Sequence, residues 1–175
     1  MENQLLDELL DSWREQLGGD FAAYRNHCFR VFNFCVALLG VTGTDIDKVS
    51  IAVAYHDLGI WTHGTFDYLE PSQALAKDHL ARADRGEWTN EVVAMIANHH
   101  KLSKVTTDQS ELVEAFRKAD WTDVSMGWLK HGLPESFVSE TLLAFPNYGF
   151  HKKLVSLTLK RMLSHPLSPL PMLKL

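Results

Sequence analysis

Apolar residues recur three and four positions apart along nearly the whole chain, the spacing that lines one face of an α-helix. No stretch alternates apolar and polar residues with the period of a β-strand. The pattern predicts a first helix over about 2–17, closed by Gly18-Gly19. A second covers about 21–39, capped by Asp20 and stopped near Gly40. A third opens at Thr44 or Asp45, runs to His56-Asp57 and ends at Gly59. After the loop IWTHGTFDYLE, Pro71 sits in the first turn of a fourth helix, about 71–84, and a fifth follows over about 88–101. A sixth, opened by Thr107 or Asp108, carries Asp120, and two more occupy about 134–143 and 147–164. The tail PLSPLPMLKL has three prolines in ten residues and is expected to pack as an extended arm or lie loose. There is no internal repeat, low-complexity block or linker. The expectation is one compact all-α domain over 1–175, with about seven or eight helices.

Composition narrows the class. A chain of 175 residues, 46% hydrophobic and 22% charged, can bury one sizeable core. No apolar run approaches the roughly 20 residues of a membrane span, so no membrane association is expected. The N-terminus, MENQLLDELLDSW, is acidic and amphipathic and lacks the basic start of a secretory signal, which predicts a cytoplasmic protein. A net charge of -5 argues against a nucleic-acid polymer as partner. Cys28 and Cys35 lie two turns apart on one predicted helix, roughly 10 Å, too far for a disulfide, and read as reduced core thiols.

The candidate chemistry is a set of histidines and aspartates on separate helices. His56-Asp57 closes the apolar run VSIAVAYHDLG, His27 lies upstream, and His99-His100 and Asp120 lie downstream. Imidazole and carboxylate together suit a divalent metal, and both are costly to bury without a partner. Adjacent helical residues point about 100° apart, so His56 and Asp57 can share a ligand only where the helix ends, and Gly59 places them there. His27 has Ala23, Val31 and Phe34 at helical spacing, with Arg30 marking the edge of that face. Asp120 follows Val113 and Phe116 by seven and four residues and also faces inward. Taken singly, each is equally readable as a hydrogen-bonded core residue.

The stretches YRNHCFRVFNF, VAYHDLGIW, MIANHHK and FRKADWTDV place His, His-Asp and Asp on successive helices. In this order the chain resembles the HD-domain superfamily of metal-dependent phosphohydrolases over roughly residues 20–125. The resemblance implies an HD-type helical domain in which His27, His56, Asp57 and Asp120 bind a divalent metal, with Asp123 as the fallback for the last position. Some branches hold further metals through extra histidines. NHHK matches one such place, so His99 is expected as a ligand and His100 beside it as a catalytic group. The alternative is a surface histidine pair at a helix C-terminus. Where another histidine would precede the helix-opening proline, Glu70 stands instead, readable as ligand, general base or acceptor from a ligand histidine. His79 is a further possibility. Where several relatives place a phosphate-contacting lysine, this chain has Ile60, and His63 is the replacement donor or general acid. Lys101, Lys104, Arg117 and Lys118 are candidates to meet phosphate or to be solvated. Trp61, Phe66, Tyr68 and Trp121 read as core packing or as a platform for a base.

The function so implied is hydrolysis of a small phosphate ester, such as a nucleotide. One or two divalent ions (Mn, Fe, Co, Ni or Zn) would serve the reaction, and Glu70, His63 or His100 would move the proton. The alternatives are an HD-fold di-iron oxygenase, a non-phosphate hydrolase or hydratase, and a non-catalytic metal-binding module. A homodimer is compatible with the sequence.

Overall fold

The computed structural model describes residues 1–40, 42–105, 111–166 and 171–173. Among them there is no β-strand. The helices are α1 (Gln4–Asp11), α2 (Arg14–Leu17), α3 (Phe21–Leu39), α4 (Thr44–Tyr55), α5 (Gly59–Thr62), α6 (Leu69–Arg82), α7 (Thr89–Asn98), α8 (Glu111–Val124), α9 (Glu135–Ala144) and α10 (Phe150–Ser164). The all-α class expected from periodicity is therefore observed. Two of the helices, α2 and α5, are single turns of four residues. Among the described residues no helix is long and apolar enough to cross a membrane.

α3 is the axis. It packs along α8 and touches α4, α9, α1 and α10. Its side chains are buried nearly all round, from Phe21 through Cys35, the composition of a central helix rather than a surface one. Tyr24, Phe29, Phe32 and Phe34 are fully buried, and each contributes about 1.5–3 kcal/mol of burial. One apolar cluster runs from Leu6 on α1 to Phe150 on α10. Cys28 and Cys35 are buried free thiols inside it.

Several local expectations are corrected. The first predicted helix breaks after Asp11. The Ser12 hydroxyl donates to the Leu9 carbonyl at 2.6 Å and the Trp13 amide bonds back three residues to Leu10, which overwinds the chain and turns Trp13 edge-on to Tyr55. Asp20 does not cap α3. Its carboxylate accepts instead from Trp61 Nε1 at 2.9 Å and pairs with Lys153 at 2.8 Å. Arg30 is not at the edge of its helix face but fully buried, because Asp123 supplies the counter-charge. Thr107 and Asp108, the expected start of the sixth helix, lie outside the described residues. Of the proline-rich tail, Met172 is described and packs on Ile60, Phe66 and Tyr68.

Gly59 does not terminate a helix through left-handed backbone. It begins α5, and its requirement is space: an added Cβ would lie 2.6 Å from the Tyr68 carbonyl oxygen and 3.0 Å from Ser72 Oγ, which accepts from the Gly59 amide. The close approach docks the start of α6 onto the turn carrying His56 and Asp57. Gly59→Ala is expected to cost about 1–3 kcal/mol, visible as a melting temperature several degrees lower. An unchanged melting curve would contradict the close contact.

Candidate metal centre

Four helices bring the side chains together. His27 comes from the middle of α3, His56 and Asp57 from the end of α4, His99 and His100 from the end of α7, and Asp120 from α8. At both helix ends the backbone bonding changes from four residues back to three, Leu58 to Tyr55 and Lys101 to Asn98. There the neighbouring side chains leave helical register, which lets each pair share one centre. The repeated device extends to the rings. His56 Nδ1 donates to the Val53 carbonyl at 2.8 Å and His99 Nδ1 donates to the Ile96 carbonyl at 2.7 Å, each three residues upstream. His27 Nδ1 is held by Asp123 Oδ2 at 2.6 Å. With every Nδ1 committed as a donor, the Nε2 atom of each ring in its neutral form presents its lone pair to the centre.

These lone pairs face each other and two carboxylates. His27 Nε2 and His56 Nε2 are 2.9 Å apart. Asp57 Oδ2 lies 3.7 Å from the first and 3.5 Å from the second, and Asp120 Oδ1 lies 3.8 and 3.7 Å from them. The other oxygens look the opposite way, Asp57 Oδ1 towards His99 Nε2 and Asp120 Oδ2 towards His100 Nδ1, both at 3.4 Å. Asp57 Oδ1, His99 Nε2 and both Asp120 oxygens are buried without a hydrogen-bond partner. Buried polar atoms are normally satisfied, and leaving several acceptors together unsatisfied costs free energy. A divalent cation resolves this. Two ligands at right angles around an ion about 2.1 Å from each lie about 3 Å apart, the spacing of the two Nε2 atoms. His27, His56 and Asp57 form one group able to hold a metal, and Asp57, His99 and His100 form another, with ligand atoms within 4.8 Å of one another in each.

The electrostatics follow from burial. Burial pushes the His56 pKa down to about 3, so the ring is a neutral donor of its lone pair. Burial raises Asp57, but the imidazoles of His56, His99 and His27 outweigh it and hold the carboxyl well below its usual range. Burial pushes Asp120 upward, with the neighbouring carboxylates of Asp57 and Asp123 adding to it against the opposing pull of His99 and His27. Burial lowers His99, but Asp57 and Asp120 more than offset it, so that ring holds its proton to higher pH than an ordinary imidazole. His100 is driven well below the ordinary value by burial and by His99.

Of the residues singled out from sequence, His27, His56, Asp57, His99, His100 and Asp120 converge. Glu70 and His63 do not. Glu70 is exposed and joins neither ligand group, and His63 is exposed at the end of α5 with Nδ1 2.9 Å from Thr62 Oγ1. His79 packs against the Tyr55 ring instead. Arg117 is locked onto Glu114 and the Lys101 carbonyl, and Lys118 also leans on Glu114. Trp61, Phe66, Tyr68 and Trp121 are partly or fully packed. Asp123 is not an alternative ligand. It orients His27 while Arg30 clamps both its oxygens, and burial, which alone would raise it, is overcome by His27 and Arg30. The signal for this support was present as His27/Arg30 and Asp120/Asp123, each pair three apart on one helix. Nothing local pointed to Tyr68, whose hydroxyl meets His100 Nε2 at 2.7 Å.

A sequence model described as HD domain matches residues 24–125, a span holding every side chain of this centre. Comparison with curated proteins and with solved structures gave no match.

Arg30→Met strands the Asp123 carboxylate in the core and is expected to destabilise the protein by about 3–5 kcal/mol, measured by urea unfolding. A loss under 1 kcal/mol contradicts the clamp. Asp57→Asn is expected to abolish the rise in melting temperature caused by added Mn²⁺ or Zn²⁺ and, because the surrounding imidazoles favour the ionised carboxylate in the folded protein, to lower the stability of the metal-free protein at neutral pH. Metal affinity is expected to rise with pH through the imidazole range, since the ion must displace the proton that His99 retains. A flat profile in calorimetric titration would count against His99 as a ligand.

Proposed function

The chain belongs to the HD domain family, which generally contains metal-dependent hydrolases, and from that we propose that it hydrolyses a small phosphate ester. The observation that carries the reading is the set of buried acceptors without partners, drawn from separate helices to one point. Such a set is costly in a protein that never binds a cation. We assign His27, His56, Asp57 and Asp120 to one divalent ion. His99, with the outward oxygens of Asp57 and Asp120, serves a second. What supports two ions is that each carboxylate turns one oxygen to each side. Bound there, divalent ions lower the pKa of water and polarise a phosphoryl oxygen.

Hydrolysis then needs water to attack phosphorus, the phosphorus–oxygen ester bond to break, and the water proton to reach the departing oxygen. Those proton transfers fall to His100. Its side chain is 13% exposed where those of its neighbours in the centre are 0–4%, so it stands at the mouth. Burial keeps it neutral, which leaves a ring nitrogen free to take a proton, and the Tyr68 hydroxyl fixes its ring. Glu70 and His63 take no part in this step. A second reading, a two-iron oxygenase on the same fold, draws on the same paired ligand groups.

The test is phosphate release from p-nitrophenyl phosphate and a panel of nucleotides, with and without chelator. Activity is expected only with divalent metal. Asp57→Ala is expected to remove metal and activity together, and His100→Gln to lower kcat about 10²–10⁴-fold with metal content unchanged. Oxygen consumption with two bound irons and no phosphate release would replace this reading by the oxygenase.

A further inference from the structure

Beside the metal centre lies a cavity of about 500 Å³, within the range of small-molecule sites. Its walls include Phe66, Tyr68, Glu70, Gln73, Pro171 and Met172. Tyr68 belongs to both places. Its ring lines the cavity, and its hydroxyl touches His100, the one side chain of the centre with appreciable solvent access. A molecule whose reacting end met His100 from the Tyr68 side would have its remaining body in this cavity.

The lining tells what that body is. Among the described residues no lysine, arginine or histidine contributes to it. Two carboxylates do, and they differ. Asp67 is answered by Arg161 at 2.9 Å. Glu70 makes no hydrogen bond or ion pair among the described residues, and its charge is open to the cavity. The rest of the lining includes Phe66, Tyr68 and Met172, which pack together as an apolar cluster, and Gln73. An apolar lining with an unpaired carboxylate favours a cation carried on an apolar body. Glu70 repels an anionic body.

We propose that this cavity binds the non-reacting end of the substrate, that this end carries an organic ammonium group on an apolar frame, and that Glu70 recognises it. Glu70 is thereby a specificity residue, not a metal ligand or a proton carrier. The substrate is then two-ended, anionic where it meets the metal and cationic where it meets Glu70. That second statement rests on the phosphoester reading; the binding of the ammonium does not.

Two measurements separate the claims. Binding is read by calorimetry on metal-loaded protein, with benzylammonium as the probe and benzoate as its anionic counterpart. Benzylammonium is expected to bind and benzoate not to, and Glu70→Gln is expected to weaken benzylammonium binding roughly threefold to tenfold, the size of a charge-assisted contact with some solvent access. Specificity is read from kcat/KM for three aryl phosphates differing only at the para position, bearing aminomethyl, methyl or carboxylate. The aminomethyl ester is expected to lead by a similar factor. Glu70→Gln is expected to bring its ratio to the methyl ester near one, Glu70→Lys to reverse the order, and Gln73→Glu to enlarge the lead. Equal binding of benzylammonium and benzoate, or a preference that Glu70→Gln leaves intact, overturns the proposal. Absence of turnover with all three esters overturns the phosphoester reading instead, and benzylammonium binding still decides the cavity.

Discussion

Everything in this protein is arranged around a set of lone pairs with nothing to accept. Three imidazole nitrogens and four carboxylate oxygens point into one buried volume, and the hydrogen bonds that orient them use up the opposite side of each ring. The two Nε2 atoms of His27 and His56 stand 2.9 Å apart with no proton fixed between them. In water such groups would be hydrated. In the core they are tolerable only if a cation takes the place of that water. The fold therefore holds its ligands in the geometry of the bound state and bears the cost whenever the ion is absent.

That rigidity has identifiable sources. The carbonyls of Val53 and Ile96 set the tautomers of His56 and His99 from within the same helix turn. His27 has no such local carbonyl, because it lies mid-helix where carbonyls are spoken for, and it draws on Asp123, which in turn needs Arg30. The bulk of the support is apolar. Phe150 stacks on the His27 ring with centroids 4.0 Å apart, and Phe116 stands edge-on to both His56 and His99. These rings exclude water, which strengthens each charge interaction in the centre.

The centre and the adjoining cavity divide the work of recognition. The metal ligands are nearly sealed, and the cavity is open and weakly polar. Tyr68 joins them. Its own ionisation is suppressed by burial and by the carboxylates of Asp57 and Asp120, so it acts as a hydrogen-bonding wall rather than an acid. The position of Glu70 on the first turn of α6, two residues after Tyr68, puts a free carboxylate at the far side of that wall. Met172, distant in sequence, completes the enclosure.

What the chain alone determined was the helical class, most of the helix positions and the set of histidines and aspartates that converge. Apolar spacing is a local property, and His, His-Asp, His-His and Asp on inward faces are visible from the pattern. What only the tertiary structure decided was which groups meet. Arg30 could not be read as buried, because its charge is admissible in the core only through Asp123 on another helix. Gly59 looked like a helix stop, yet its constraint is a carbonyl nine residues on that folds back against it. Glu70 and His63 looked eligible for the centre from their place in sequence, and packing turns both away from it. The division has one physical cause: periodicity and capping act within a few residues, whereas burial of charge and the partners of a lone pair are settled by segments that come together only when the chain has folded.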